Sequence, residues 1–178
     1  MDFGIDPSRK FLSVRLAVLT VSDSRTADTD TSGDLLVDRL EAANHILGAR
    51  ALVPDDVPQI RDIVQKWTKD PLIDVVITTG GTGLTGRDVT PEALRPLFEK
   101  EIEGFSVIFH HVSFQSVGLS TLQSRALAGL ASGTFIFCLP GSNGAVKDGW
   151  DKIISHQLDS RYTPCNLVSQ MPRLKQKP

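Results

Sequence analysis

Asp74-Val-Val-Ile-Thr-Thr79 runs directly into Gly80-Gly-Thr-Gly-Leu-Thr-Gly-Arg-Asp-Val-Thr90, and Pro91-Glu92 follows. The first six residues form an apolar, β-branched run of strand length with no polar alternation. That is the pattern of a strand covered on both faces in a parallel sheet. Thr90 before Pro91, with Glu92 in the first turn, predicts a helix start whose dipole is complemented. Pro96 predicts that this helix is short or kinked. Strand, glycine-rich loop and helix in that order put the loop at the carboxyl end of a strand, where open α/β sheets bind ligands.

Outward from this segment the same alternation repeats. Upstream, Arg15-Leu-Ala-Val-Leu-Thr-Val21 reads as a buried strand closed by Ser22, Asp23 and Ser24. Ser32 offers an N-cap, and Leu36, Leu40, Ala43 and Leu47 recur at helical spacing up to Gly48. Ala49–Val53 reads as a short strand ending at Pro54, and Ile60, Ile63, Val64 and Trp67 share one face of a second helix. Downstream, Phe105, Ile108, Phe109 and Val112 predict a helix, and so does Ser120–Leu130. Thr134–Leu139 reads as a strand broken by Pro140-Gly141, and Val146, Trp150, Ile153 and Ile154 mark a final amphipathic helix. Residues 98–102 receive no assignment. The expected fold is a doubly wound, three-layer α/β/α domain with a mostly parallel central sheet over residues 11–168. A flexible segment is expected at 1–10 and a tail at 169–178.

Composition narrows the function classes. The chain has 178 residues, and 19 Lys+Arg against 21 Asp+Glu leave a formal charge of −2. Such a balance exerts no general pull on nucleic acid or an acidic membrane. The apolar run from Leu16 to Val21 is far too short to span a bilayer, and no signal-peptide flanks surround it. Two cysteines with 26 residues between them match neither a metal knuckle nor a redox pair. A cytoplasmic protein is expected.

Four loops leave the carboxyl ends of the expected strands: Ser22-Asp23, Pro54-Asp55-Asp56, Gly80–Asp88 and Pro140-Gly141-Ser142. The first reads simply as a turn. The third matches G-x-G-x-x-G at Gly81, Gly83 and Gly86, but the helix starts too late and no acid ends a following strand, so a dinucleotide fingerprint fails. It also fits G-x-x-x-x-G, but Arg87 and Asp88 stand where a phosphate loop needs Lys and Ser/Thr. What remains is backbone that approaches an anion closely at Gly80, Gly81 and Gly83, with the hydroxyls of Thr79 and Thr82 as further donors. Asp88 would repel a phosphate there by about 4 kcal/mol at 4 Å and an effective dielectric near 20. A Mg²⁺ ion reverses that sign, with Asp55 or Asp56 from the second loop as the other carboxylate. Asp56 has a separate explanation as a helix N-cap, and turn chemistry alone also accounts for the glycines.

Thr78-Thr-Gly-Gly-Thr-Gly83 with Arg87-Asp-Val-Thr-Pro-Glu92 resembles the signature of the MoaB/MogA molybdopterin-binding family. Gly104-Phe105, Ser124-Arg125-Ala126 with Ala128-Gly129, and Leu139-Pro-Gly141 match its later blocks in order. Ser120–Ala126, Gln157–Arg161 and Pro164-Cys-Asn166 are closest to the MoaB branch. The resemblance covers residues 15–166. It implies a role in molybdenum cofactor biosynthesis with molybdopterin as ligand. In catalytic members it implies Mg²⁺-dependent transfer of AMP from ATP to molybdopterin with release of pyrophosphate. It implies Asp55 and Asp88 as the essential acids and metal ligands, and substrate contacts at Thr79, Gly80, Gly81, Thr82, Gly83, Ser124, Arg125, Pro140, Gly141 and Ser142. Some MoaB-branch members lack both acids, so the other reading is a non-catalytic molybdopterin carrier. The Pro140–Gly144 loop departs from the asparagine-proline form of MogA-like members. The family also implies self-assembly, as a homotrimer or homohexamer.

Overall fold

The computed structural model describes residues 3–174. In chain order its strands are β1 (Gly4–Ile5), β2 (Arg15–Val21), β3 (Ile46–Val53), β4 (Val75–Thr79), β5 (Lys100–Glu101), β6 (Leu127–Ala131), β7 (Thr134–Leu139) and β8 (Tyr162–Thr163). The helices are α1 (Thr31–Ala42), α2 (Val57–Lys69), α3 (Thr90–Leu94), α4 (Glu103–Val117), α5 (Asn143–Gly149) and α6 (Ser155–Leu158). A π-helical stretch, Trp150–Ile154, joins the last two into one continuous rod.

The main sheet has the order β3-β2-β4-β7-β6-β5. β3, β2, β4 and β7 are parallel, whereas β6 and β5 add antiparallel pairs at one edge. Alternating side chains serve opposite layers, as the pleat requires. Leu16, Val18, Val75, Ile77, Phe135 and Phe137 face α1, α4 and the α5–α6 rod. Ala17, Leu19, Val21, Val76, Ile136 and Cys138 face the layer built from α2 and α3. The chain passes from β2 to β3 on one side and crosses to β4 on the other, so the order reverses between β2 and β4. The three-layer α/β/α expectation holds.

Several boundaries differ from those read in the sequence. α1 is capped by Asp30, whose carboxylate accepts the Gly33 N–H, and Ser32 lies inside the helix. The helix stops at Asn44, which takes a left-handed φ of 61°, so Leu47 and Gly48 belong to β3. Residues 120–130 are no helix: a 3₁₀ turn, Gly118–Gln123, leads through Ser124–Ala126 into β6. β6 and β7 form a hairpin turned at Ser132 and Gly133, both at positive φ, the geometry of a type I′ turn. The unassigned 98–102 stretch supplies edge strand β5.

The chain ends are also more engaged than expected. Gly4–Ile5 pairs with Tyr162–Thr163, and the Leu12 N–H donates to Ser160 Oγ. Val168–Arg173 is a 3₁₀ turn beside which Met171 and Leu174 pack on the core. Residues 1, 2 and 175–178, parts of the expected N-terminal segment and tail, lie outside the described residues. Among the described residues no helix is long and apolar enough to cross a membrane.

Candidate functional site

The carboxyl ends of β2, β3, β4 and β7 converge on an open cleft of about 600 Å³, at the point where the strand order reverses. Asp55, Gly80, Gly81, Thr82, Gly83, Asp88, Ser124, Pro140 and Gly141 all line it. Nine sequence-predicted positions from four separate loops thus share one wall.

The glycine-rich loop follows a path only glycine permits at its two entry positions. Gly80 has φ +106°, and a Cβ there would stand 2.1 Å from the Val21 carbonyl oxygen. Gly81 has φ +63°, and a Cβ there would meet Asp55 Oδ1 at 2.7 Å and Thr90 Oγ1 at 2.3 Å. Two residues on, a Cβ at Gly83 would meet Asp88 Oδ2 at 2.8 Å. Two residues of extended chain span at most about 7 Å. The two carboxylates therefore flank the same short piece of backbone, each occupying space a side chain would fill.

Their environments differ. Asp88 is fastened within its own turn: Oδ2 accepts the N–H and hydroxyl of Thr85. The Thr85 hydroxyl, more than any other group, holds its carboxyl below the usual carboxylate range. Asp55 is half-buried, and burial first, then the nearby charge of Asp23, pushes its carboxyl up, with Asp88 adding to the effect. Asp56 takes the N-cap role expected of it, accepting the Gln59 N–H at 3.0 Å.

Three predicted residues lie elsewhere. The Thr79 hydroxyl donates to the Pro140 carbonyl at 3.1 Å and joins two loops instead of facing the cleft. Ser142 caps α5 by accepting the Ala145 N–H. Arg125 sits behind the glycine-rich loop. Its guanidinium donates to the carbonyls of Thr82, Gly83 and Asp88 and to the Glu92 carboxylate. Each of its three nitrogens bonds a group of this loop or the helix after it, so Arg125 shapes the loop from behind. The Gly80 N–H is likewise used, by the Leu139 carbonyl at 3.0 Å, which leaves the amides of Gly81 and Thr82 for an anion.

The first loop, read as a mere turn, lines the cleft as well. Asp23 accepts both arms of the Arg87 guanidinium at 2.8 Å and the Asp55 N–H at 3.1 Å, tying three loops together. Arg25 donates to the Gly141 carbonyl at 2.8 Å and to Ser32 Oγ, beside the buried Asp30. It is the one cation among the described lining residues, set against Asp23, Asp55 and Asp88. The only hint in the sequence was an acid and a base just past a strand end, which turn chemistry explains equally well.

No described group of three His, Cys, Asp or Glu could hold a metal. His110 bonds the Ser106 and Ser124 carbonyls, and Cys138 is a buried hydrophobe whose thiol is pushed up to about 12 by burial. Trp67 and Trp150 are core residues.

Residues 17–160 match the family model described as "Probable molybdopterin binding domain". The chain belongs to this molybdopterin-binding family. It is 47% identical over 159 residues to molybdenum cofactor biosynthesis protein B of Escherichia coli K12, covering 89% of this chain and 94% of that one. A crystal structure of a molybdenum cofactor biosynthesis protein B superposes with a TM-score of 0.85 at 36% identity, over 95% of this chain and all of that one. The Pyrococcus furiosus tungsten cofactor synthesizing protein MoaB superposes at 0.73 with 37% identity, over 81% and 92%. These likenesses place the chain in molybdenum cofactor biosynthesis.

Proposed function

We propose that this chain is a molybdopterin adenylyltransferase, joining the AMP of Mg-ATP to the terminal phosphate of molybdopterin and releasing pyrophosphate. The observation that carries the reading is the pair of carboxylates from separate loops, Asp55 and Asp88, standing against Gly81 and Gly83 in one cleft. Asp23 is paired with Arg87, whereas Asp55 and Asp88 bring negative charge to a cleft proposed to hold phosphates. A divalent cation corrects that imbalance.

The donor set fits Mg²⁺. Only two carboxylates flank the loop, both hard oxygen donors, and Mg²⁺ typically takes one or two carboxylates and completes its octahedron with water and substrate phosphate. The Asp23 backbone bonds Asp55, and Thr85 and the Gly83 backbone bond Asp88, which still leaves lone pairs on both carboxylates for a cation. Asp55 and Asp88 would hold the ion, whose contribution is positive charge beside the phosphates. The chain's own groups do the rest. Free amides at Gly81 and Thr82 receive a phosphate oxygen, and Arg25, held by the Gly141 carbonyl, adds a positive charge to the cleft. Arg125 keeps the loop in shape from behind. Attacker, target and leaving group are all anionic, so alignment and charge neutralisation dominate the rate. A covalent intermediate has no support, because among the described residues no Ser or Cys with an adjacent base lines the cleft.

A homo-oligomer is part of the proposal. Val107, Phe114 and Val117 recur at helical spacing on α4, and with Leu119 and Leu122 they leave an apolar strip uncovered beside the cleft. A second copy is its natural cover. ATP and Mg²⁺ supply sets the reaction in the cytoplasm.

The carrier reading draws on one feature, the fastening of Asp88 by Thr85. α-³²P-labelled ATP separates the two. Label should move to molybdopterin with stoichiometric pyrophosphate, and bound but unlabelled molybdopterin would leave a carrier.

A further inference from the structure

His110 stands on α4, and its half-buried ring bridges that helix to the segment leading into β6. Nδ1 lies 2.7 Å from the Ser106 carbonyl oxygen, one turn back on the same helix, and Nε2 lies 3.1 Å from the Ser124 carbonyl oxygen. The Ser106 hydroxyl, 3.4 Å from Nδ1, is the only other polar contact of the ring among the described residues.

A backbone carbonyl oxygen only accepts, so each of these contacts needs a hydrogen on the ring nitrogen. A neutral imidazole carries one N–H. At 2.7 Å a bare Nδ1 would press its lone pair against those of Ser106, so a neutral ring keeps its hydrogen there and bonds only its own helix. Nε2 and the Ser124 oxygen then meet lone pair to lone pair, and the bridge is lost. Only a ring with hydrogen on both nitrogens makes both bonds, and its charge strengthens each.

The bridge ends on a segment that shapes the cleft. Ser124 lines it; its N–H donates to the Thr121 carbonyl at 3.0 Å, and its Oγ accepts the Ala126 N–H at 3.2 Å. Next in the chain, the Arg125 N–H donates to the Thr82 carbonyl at 3.2 Å, and the Arg125 guanidinium holds the Gly83 and Asp88 carbonyls. The Nε2 bond ties this run to a 15-residue helix whose Phe105 and Phe109 are set in the core.

We propose that His110, as an imidazolium, is a positioning residue for adenylyl transfer: it clamps the Ser124–Arg125 segment to α4 and, through Arg125, fixes where the glycine-rich loop and Asp88 stand. The inference rests on the adenylyltransferase reading above. His110 acts through its neighbours and supplies alignment, on which a reaction among anionic groups depends heavily.

The test combines a spectrum, two variants and hydrogen exchange. In ¹⁵N-labelled protein at pH 7, nuclear magnetic resonance should show hydrogen on both ring nitrogens of His110, and the pattern of a neutral ring overturns the inference. His110→Phe keeps a flat ring without donors and should lower kcat for adenylyl transfer about tenfold while leaving KM for Mg-ATP within about twofold. His110→Arg brings back several permanently charged donors and should recover kcat to within about threefold of wild type. Exchange read by mass spectrometry should quicken at residues 82–88 and 124–126 in His110→Phe and not in His110→Arg. Wild-type kcat and exchange in His110→Phe overturn the inference. If His110→Arg fails as badly as His110→Phe, the ring serves packing alone and the inference falls. A wild type that transfers no adenylyl group overturns the adenylyltransferase reading, and the spectrum and exchange rates then decide the clamp by themselves.

Discussion

Replacing Arg125 with Met should loosen the glycine-rich loop while sparing the core. The side chain is 29% exposed and donates to three carbonyls, at 3.3 Å for Thr82, 2.8 Å for Gly83 and 2.6 Å for Asp88, besides the Glu92 carboxylate. Hydrogen bonds from a charged donor contribute about 1.5–3 kcal/mol each when buried. Water reaches this site and rehydrates the freed carbonyls, so the net loss for the set is about 2–3 kcal/mol. For a chain of this length each kcal/mol moves Tm by about 2–4 °C, giving a drop of about 4–12 °C. Lysine keeps the charge but not the planar fork, so Arg125→Lys should recover less than half of the loss. Scanning calorimetry gives the Tm, and hydrogen exchange read by mass spectrometry should show faster exchange concentrated in residues 82–88. A Tm within about 1 °C of wild type together with unchanged exchange there would refute the claim that Arg125 shapes this loop.

Other perturbations reach the remaining parts of the site. Asp55→Asn should raise the Tm of the ligand-free protein by about 1–2 °C at pH 7 while abolishing adenylyl transfer. The carboxyl is pushed up by burial and neighbouring charge, so its ionised form strains the fold at neutral pH. That strain disappears as pH falls through the raised folded value, and the advantage of the variant should shrink in the same window. Asp88→Ala should cut adenylyl transfer by about 10²-fold or more, read as pyrophosphate release. Gly81→Ala forces a Cβ against Asp55 and Thr90 at φ +63° and should cost about 1–3 kcal/mol in urea denaturation, with loss of Mg-ATP binding. Leu122→Asp places a charge on the apolar strip and should reduce the assembly size measured by light scattering without changing far-ultraviolet circular dichroism.

The parallel core was legible because its strands are continuously apolar and each ends in turn residues. The errors came where one pattern fits two structures. Leu36, Leu40, Ala43 and Leu47 keep helical spacing across the true stop, which is Asn44 in a left-handed turn rather than Gly48. Leu127-Ala-Gly-Leu-Ala131 is a short apolar run that periodicity cannot divide between helix and strand; the deciding signal was Ser132-Gly133, a hairpin pair, together with Gly129, where a Cβ would stand 2.4 Å from the Phe98 ring. In the site, the glycines and both aspartates were readable because they cluster in loops at strand ends. Arg125 was named only through the resemblance, as a substrate contact, and Arg25 not at all, since the partners that define their roles lie 33 to 43 and 116 residues away.

Binding of Mn²⁺, a paramagnetic substitute for Mg²⁺, in the presence of ATP tests the shared-ion account most directly. Electron paramagnetic resonance titration should find one bound Mn²⁺ per chain in wild type, with affinity lost by about tenfold or more in Asp55→Asn and again in Asp88→Ala. Equal Mn²⁺ affinity in wild type and in the double variant would show that these carboxylates hold no cation, and the account of the cleft would fail.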